Sequence, residues 1–216
     1  MIALVDSGLS NLASVSGAFA RVGTHVEVVR DVELIERASA IVLPGVGAFG
    51  DGMAGLRDRG LIAPLQAAAR LGTPILGICL GMQLLVDMSE EHGQHDGLGL
   101  LPGRVRRLVA DKAGFRVPNM GWSDITPTRS STLFPERFPD RARCDAYYFV
   151  HSYFVEAAPE HVVATIDFCG RAIPAAIERG NISGVQFHPE KSQDAGLDLL
   201  ARWCARHDAT RITAVP

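Results

Sequence analysis

Aromatic residues are scarce in this chain, 6% of 216 residues, and cysteine is scarcer, four in all. The cysteines (Cys79, Cys144, Cys169, Cys204) are scattered, with no Cys-x-x-Cys spacing. They build neither a disulfide framework nor a zinc site, so a reducing, cytoplasmic setting without metal or cofactor is expected. No apolar run reaches the ~20 residues of a membrane span. Even 74–86 is interrupted by glycines and Gln83. Excess positive charge is also lacking. Lys+Arg number 21 against 24 Asp+Glu, and the net charge of −3 offers no electrostatic hold on nucleic acid. The basic stretch "GRVRRL" at 103–108 is too short to change that. The first residues, "MIALVDSG", carry Asp6 and no basic segment, so they read as a strand and not as a signal peptide.

Apolar residues make up 47% and charged residues 21%, which suits a soluble globular chain long enough to bury a sizeable core. No repeat, low-complexity segment or linker divides it, so one domain over 1–216 is expected.

The first part alternates strand and helix patterns. Ile2 to Asp6 reads as a buried strand. Asn11 then starts a helix whose Leu12, Val15, Phe19 and Val22 share one face, with Gly23 as its stop. A second strand follows at 25–29, a short helix capped by Asp31, and a third strand, "AIVLPG" at 40–45, that runs into a glycine-rich loop. Helical material is expected from about Asp51 to Arg70, and then "PILGI" leads into Cys79. Alternation of this kind is the mark of a parallel, doubly wound sheet. From about Gly97 the segments become shorter: "GLGLLPGRVRRL", "DAYYFVHSYFV", "VVATIDF" and a hairpin in "AAIERGNISGVQFH". A last helix, Asp194 to His207, sets Leu197, Leu200, Trp203 and Cys204 on one face. The expected fold is α/β, a single-domain flavodoxin-like doubly wound sheet with added antiparallel strands.

Ligands of open parallel sheets sit at the carboxyl ends of the strands. Three strand-end loops stand out: "DSGLSN" at 6–11, "PGVGAFGDGM" at 44–53, and Gly77 to Gly81 around Cys79. A cysteine in an apolar run is usually core filling. Glycines two positions to either side suggest instead a nucleophile elbow with sulfur in place of the hydroxyl, where larger neighbours would collide. The helix expected from Leu80 would point free N–H groups at the sulfur and favour thiolate. A thiolate needs a base and a group that orients it. In "GVQFHPEKS" Pro189 is expected to keep the segment extended, so that His188 and Glu190, two apart, point the same way. Those three make a Cys-His-Glu triad for acyl transfer. Leu80 N–H would serve as one oxyanion donor and the "PGVG" loop as a second, its glycines allowing unusual peptide orientations. Of the other histidines, His25, His92, His95, His161 and His207 read as solvated, and His151 as packed or, alternatively, as lining a pocket. Glu90 and Glu91 read as a charged helix end.

Gly-x-Cys-x-Gly-x-Gln together with His-Pro-Glu resembles the class I, triad-type glutamine amidotransferases. Within them, "LPGVGAFGDGM", "LGICLGMQLL", "GLGLLPG", "VPNMGW", "YYFVHSY" and "HPEKSQ", in order over most of the chain, are similar to the glutaminase subunits of imidazole glycerol phosphate synthases. The resemblance implies that glutamine is hydrolysed at Cys79 with His188 and Glu190, and that Gly45, Val46, Gly47, Leu80, Gln83 and Ser152 contact glutamine or its oxyanion. It implies ammonia transfer to a cyclase subunit, a (β/α)8 barrel, in a heterodimer. That barrel closes the imidazole ring in histidine biosynthesis and releases an aminoimidazole carboxamide ribotide. Asn11, Pro118, Asn119, Met120, Trp122, Tyr148 and Lys191 would face the partner and the ammonia exit. The chain departs from the family's pattern at Ser7, Ser10 and Ser123, all in loops used near the partner. Those departures leave open a paralogous glutaminase serving a related barrel, as in surface-sugar amidation. A freestanding cysteine hydrolase and a non-catalytic binding subunit are the readings from other classes.

Overall fold

The computed structural model describes residues 1–134 and 146–207. Cys144 and the start of the strand expected at Asp145 lie outside them. The first half is β1 (Ile2–Val5), α1 (Leu12–Arg21), β2 (Val26–Val29), α2 (Val32–Glu36), β3 (Ala40–Gly45), α3 (Phe49–Asp58), α4 (Ile62–Arg70), β4 (Ile75–Cys79) and α5 (Leu80–Leu84). The second half is β5 (Met88–Ser89), β6 (His95–Asp96), β7 (Arg104–Arg107), β8 (Asn119–Asp124), β9 (Thr126–Pro127), β10 (Ala146–His151), β11 (Tyr153–Glu156), β12 (Val162–Phe168), β13 (Arg171–Arg179), β14 (Ile182–Val185) and α6 (Gln193–His207).

Eight strands form the main sheet in the order β2-β1-β3-β4-β14-β13-β12-β9. The strands from β2 to β14 are parallel and the last three run antiparallel. This is the flavodoxin-like order, with β14 in the fifth position and an antiparallel extension beyond it. The expected hairpin is β13–β14, paired from Ala176↔Val185 to Arg179↔Ile182. Because the parallel strands are buried on both faces, β1, β3, β4 and β14 are buried throughout.

Two apolar cores result, one on each face. Phe19 of α1 and Trp203 of α6 meet edge to face at 6.3 Å in one core, and Phe49, Leu56 and Leu65 of α3 and α4 fill the other. Burying a side chain such as Phe19 stabilises by about 2 kcal/mol, so a truncation there would loosen the face on which α1 and α6 meet.

Several expectations shift in detail. Asn11 caps α1, its side-chain oxygen accepting from Ser14 N at 3.3 Å, whereas Asp31 precedes α2 without a side-chain cap bond. The helical stretch begins at Phe49 and breaks after Asp58 into two helices, since Gly60 adopts φ +68°. In α6 Leu199 is buried beside Leu200, Trp203 and Cys204, while Leu197 is only partly covered. Positions 197 and 199 lie about 200° apart around the helix, so Leu199 faces the core more fully and Leu197 packs at its margin. No helix among the described residues is long and apolar enough to cross a membrane.

Candidate active site

The site lies at the carboxyl ends of β3, β4 and β14. Cys79 ends β4 with φ 54° and ψ −109°, a conformation that L-residues rarely adopt. Such strain, of order 1–3 kcal/mol, persists only where the surroundings over-determine it. Here close packing does so. A methyl group at Gly77 would meet the Gly81 backbone at 2.7 Å, and one at Gly81 would lie 1.7 Å from the Leu43 carbonyl oxygen of β3. The elbow is thus wedged against the neighbouring strand. Gly81→Ala is expected to cost at least about 3 kcal/mol, lowering Tm by roughly 6–12 °C. Gly17→Ala, with open space around it, should not lower Tm, and thermal unfolding of the two variants checks both. The helix after Cys79 is only five residues long, too short to set up a full macrodipole at the sulfur.

His188 follows β14 and meets Glu190 as anticipated, although the local geometry differs. Pro189–Lys191 is a turn of 3-10 helix and not an extended segment. That tight turn folds Glu190 back, placing its Oε1 2.8 Å from His188 Nδ1 with both side chains almost fully buried, 3% and 2% exposed. Pro189 suits the turn's first position because it lacks an N–H to satisfy. The backbone of His188 is pinned as well, its N–H donating to Tyr148 O at 2.9 Å and its carbonyl accepting from Ser192 Oγ at 2.6 Å.

Burial favours the neutral His188 ring, yet the Cys79 sulfur and the Glu190 carboxylate outweigh it and raise the ring from 6.5 to about 9. His188 Nε2 is buried without a hydrogen-bond partner. Because the folded value is raised, the protonated ring contributes stability that is full below about pH 6.5 and is lost as pH rises through about 9.

Cys79 and His188 border a cavity of about 270 Å³, near the lower end of small-molecule sites. Val46, Gly47, Leu80, Gln83, Ser152 and Pro118, all singled out in the sequence, line it. Gly45 does not. It pairs with Cys79 across β3 and β4, and a side chain there would press on Leu80 at 3.0 Å, so its role is packing beside the elbow. Gly47 is the residue whose backbone requires glycine, with φ +95° and no neighbour in the way. Val46 N–H donates to Leu9 O at 2.7 Å, which turns that amide away from the cavity. The loop holding Leu9 is braced by Asp6, whose carboxylate accepts from Gly8 N at 2.8 Å and Arg30 Nε at 2.7 Å. Burial opposes the Asp6 charge, but Arg30, the Gly8 N–H and Arg59 overcome it and hold the carboxyl below its usual range. The hydroxyls of Ser7 and Ser10, where the chain departs from the family pattern, are buried in this loop without partners.

Four more residues line the cavity, Glu91, Val150, His151 and Tyr153, of which the sequence pointed only to His151. Glu91 is not a charged helix end. It is buried, its Oε2 accepting from Phe49 N at 2.7 Å at the start of α3, and it reaches the cavity. Nothing in "SEEHGQHD" separates it from its acidic neighbour, since only the fold-back of this loop onto α3 buries it. His151 is packed and also lines the cavity, so both of its readings hold. Its signal was the inward alternation Tyr147, Phe149, His151 along β10. Burial lowers it to about 4, aided by His188 and opposed by the Tyr153 carbonyl. It is therefore neutral, its Nδ1–H donating to Tyr153 O at 2.8 Å while Nε2 accepts from Asn119 Nδ2 at 3.0 Å.

The residues ascribed to the partner face fall into two groups. Trp122 and Tyr148 rings meet at 6.0 Å, Lys191 Nζ lies 6.0 Å from the Tyr148 centroid, and Met120 is 63% exposed on the same β8–β10 ribbon. Pro118 lines the cavity, Asn119 supports His151, and Asn11 is exposed at the start of α1. Among the described residues no group of three or more His, Cys, Asp or Glu side chains converges as metal ligands would.

Similarity to known proteins extends over nearly the whole chain. The model of the family described as "Glutamine amidotransferase class-I" matches residues 3–205. The "Imidazole glycerol phosphate synthase subunit HisH" of Moorella thermoacetica is 47% identical over 199 residues, 92% of this chain and 91% of the relative. The protein of that name from Desulfitobacterium hafniense is 44% identical over 213 residues, 97% of each chain. The structure of PurLQS from Thermotoga maritima superposes with a TM-score of 0.73 at 20% identity, over 95% of this chain and 97% of that one, a likeness of fold. With an elbow cysteine, a buried His-Glu pair and a family match over nearly its whole length, the chain belongs to the class-I glutamine amidotransferases.

Proposed function

We propose that the chain is the glutaminase subunit of an imidazole glycerol phosphate synthase, hydrolysing glutamine and handing the ammonia to a (β/α)8-barrel cyclase in a heterodimer. The observation that carries the chemistry is the buried His188–Glu190 pair at 2.8 Å, with Nε2 left unpartnered beside the Cys79 elbow. The pathway assignment draws on relatives bearing that name along nearly the full length of the chain.

In this reading the Cys79 sulfur attacks the carboxamide carbon of glutamine. The oxyanion is met by Leu80 N–H, which at the start of α5 has no intrahelical acceptor, and by a donor from the loop at Val46 and Gly47. His188 gives its proton to the departing ammonia, then takes one from the water that cleaves the thioester. Glu190 holds the ring by accepting from Nδ1–H. Glu91, with one oxygen held by Phe49 N, offers the other to the substrate's ammonium group, and Gln83 and Ser152 border the rest of the substrate. Ammonia released into neutral water would be protonated and lose its nucleophilicity, so transfer must be sheltered. The exposed Met120 and Trp122, with Tyr148 and with Lys191 of the Glu190 turn, form the docking face.

The test is to titrate the histidine-pathway barrel, with its nucleotide substrate, into this chain and follow glutamate release. Stimulation supports the assignment. None, with Cys79 still reactive, points to a different synthase. The pH profile tests the triad roles. Hydrolysis in the complex should decline as pH rises through about 9, where His188 gives up the proton needed by the leaving group. Glu190→Gln removes a charge that favours imidazolium, so this basic limb should move to lower pH. An unmoved limb would contradict the roles of both residues.

A further inference from the structure

We propose that Gln186 is a positioning residue that holds the Cys79 sulfur through a donated side-chain N–H. The proposal deepens the reading of Cys79 as nucleophile and rests on it. Gln186 is fully buried between Val185 and Phe187. Val185 pairs with Ile78 across β14 and β4, so Cys79, the last residue of β4, and Gln186, the first residue beyond β14, come next in the register. The Gln186 backbone N–H is tied to Ala175 O at 2.8 Å, which leaves its side chain as the variable part.

The orientation of that amide follows from its neighbour. Gln83 approaches the Tyr153 carbonyl at 3.1 Å, and a carbonyl only accepts, so the Gln83 atom there is Nε2. The same nitrogen lies 3.0 Å from the Gln186 amide, so the Gln186 atom receiving it is Oε1. Gln186 Nε2 is thereby directed at Cys79 Sγ, 3.8 Å away. Each step uses a group with a single possible role, and the chain ends on the sulfur.

A buried amide that served only as filling would lose its hydration where an aliphatic side chain would fit at lower cost. Set against sulfur, its N–H stabilises the anion and restrains the swing of Sγ, complementing His188 from another side. Gln83 acts twice in this arrangement, lining the cavity and fixing the Gln186 amide.

The experiment measures the pH dependence of Cys79 alkylation by iodoacetamide in the intact chain, with kcat and KM for glutamine in the complex with the barrel. Gln186→Met keeps length and removes the donor. Its alkylation midpoint should rise by about one pH unit, with kcat falling about ten-fold and KM changing less. Gln186→Glu keeps an acceptor for Gln83 but faces the sulfur with a carboxylate oxygen, and its midpoint should rise further. A fall in kcat with unmoved midpoints would mean that Gln186 only fills space and would overturn the proposal. If wild type itself neither alkylates at Cys79 nor releases glutamate, the glutaminase reading fails. If wild type does both and the midpoints stay, only this inference fails. Should the variants not fold, the Gln186 side-chain amide resonances of the wild type, followed by NMR against pH, must shift with the alkylation midpoint. Flat resonances would refute the contact.

Discussion

Glutamate release by the Cys79→Ala variant is expected to fall at least 10⁴-fold, with little change in thermal unfolding. Loss of a catalytic nucleophile costs on the order of 10⁶ in the best-measured hydrolase, leaving only what binding and oxyanion donors supply. Folding should survive because the elbow is set by backbone packing of Gly77 and Gly81 and not by the sulfur. Alanine keeps the Cβ and therefore the strain at φ 54°. Cys79→Gly, relieved of that strain, should be equally inactive and somewhat more stable, a contrast that separates geometry from chemistry. A glutamine-derived electrophile should mark Cys79 and spare the buried Cys169 and Cys204. Residual hydrolysis within ten-fold of wild type would place the nucleophile elsewhere.

Stimulation of the glutaminase by its loaded partner is expected to reach ~10²–10³, the usual worth of one oxyanion donor. In the resting chain the Val46 N–H is bonded to Leu9 O at 2.7 Å, so that amide is no oxyanion donor until the Gly45–Val46 peptide turns. Leu9 belongs to the loop that starts at Asp6 and ends at Asn11, which the resemblance sets at the partner face. A partner pressing on that loop would loosen its hold on Val46. Gly47→Ala forces a side chain into φ +95° with nothing sterically near it, so its effect is confined to the backbone. A cost of ~1–2 kcal/mol at this position should blunt the stimulation several-fold or more. Affinity for the barrel should change little, because Met120 and Trp122 are untouched. Titration calorimetry beside a glutamate-release assay reads both. Equal basal and stimulated rates in wild type would mean that the loop already works in the resting chain.

Much of this was legible from local chemistry. The strand-helix alternation, the cap at Asn11, the hairpin before Gln186 and the paired glycines around Cys79 are short-range features, each imposed by the size or the dihedral freedom of a few neighbouring residues. His-Pro-Glu was legible as a pair, but the reason for its geometry was not. Local sequence allows an extended segment or a 3-10 turn after His188, and packing against α6, α1 and β10 accompanies the turn that forms.

What the sequence by itself determined is the chemistry available: an elbow thiol, an imidazole with its carboxylate, and a glycine loop at a strand end. Tertiary structure alone decided which distant groups join them. Glu91 enters the cavity because its loop folds onto α3, His151 faces His188 because β10 delivers it inward, and Gln186 meets Cys79 because β14 pairs in register with β4. Local propensity reaches only a few residues along the chain. Pairing between strands 107 positions apart depends on burying both faces of the parallel sheet at once, which no local pattern encodes.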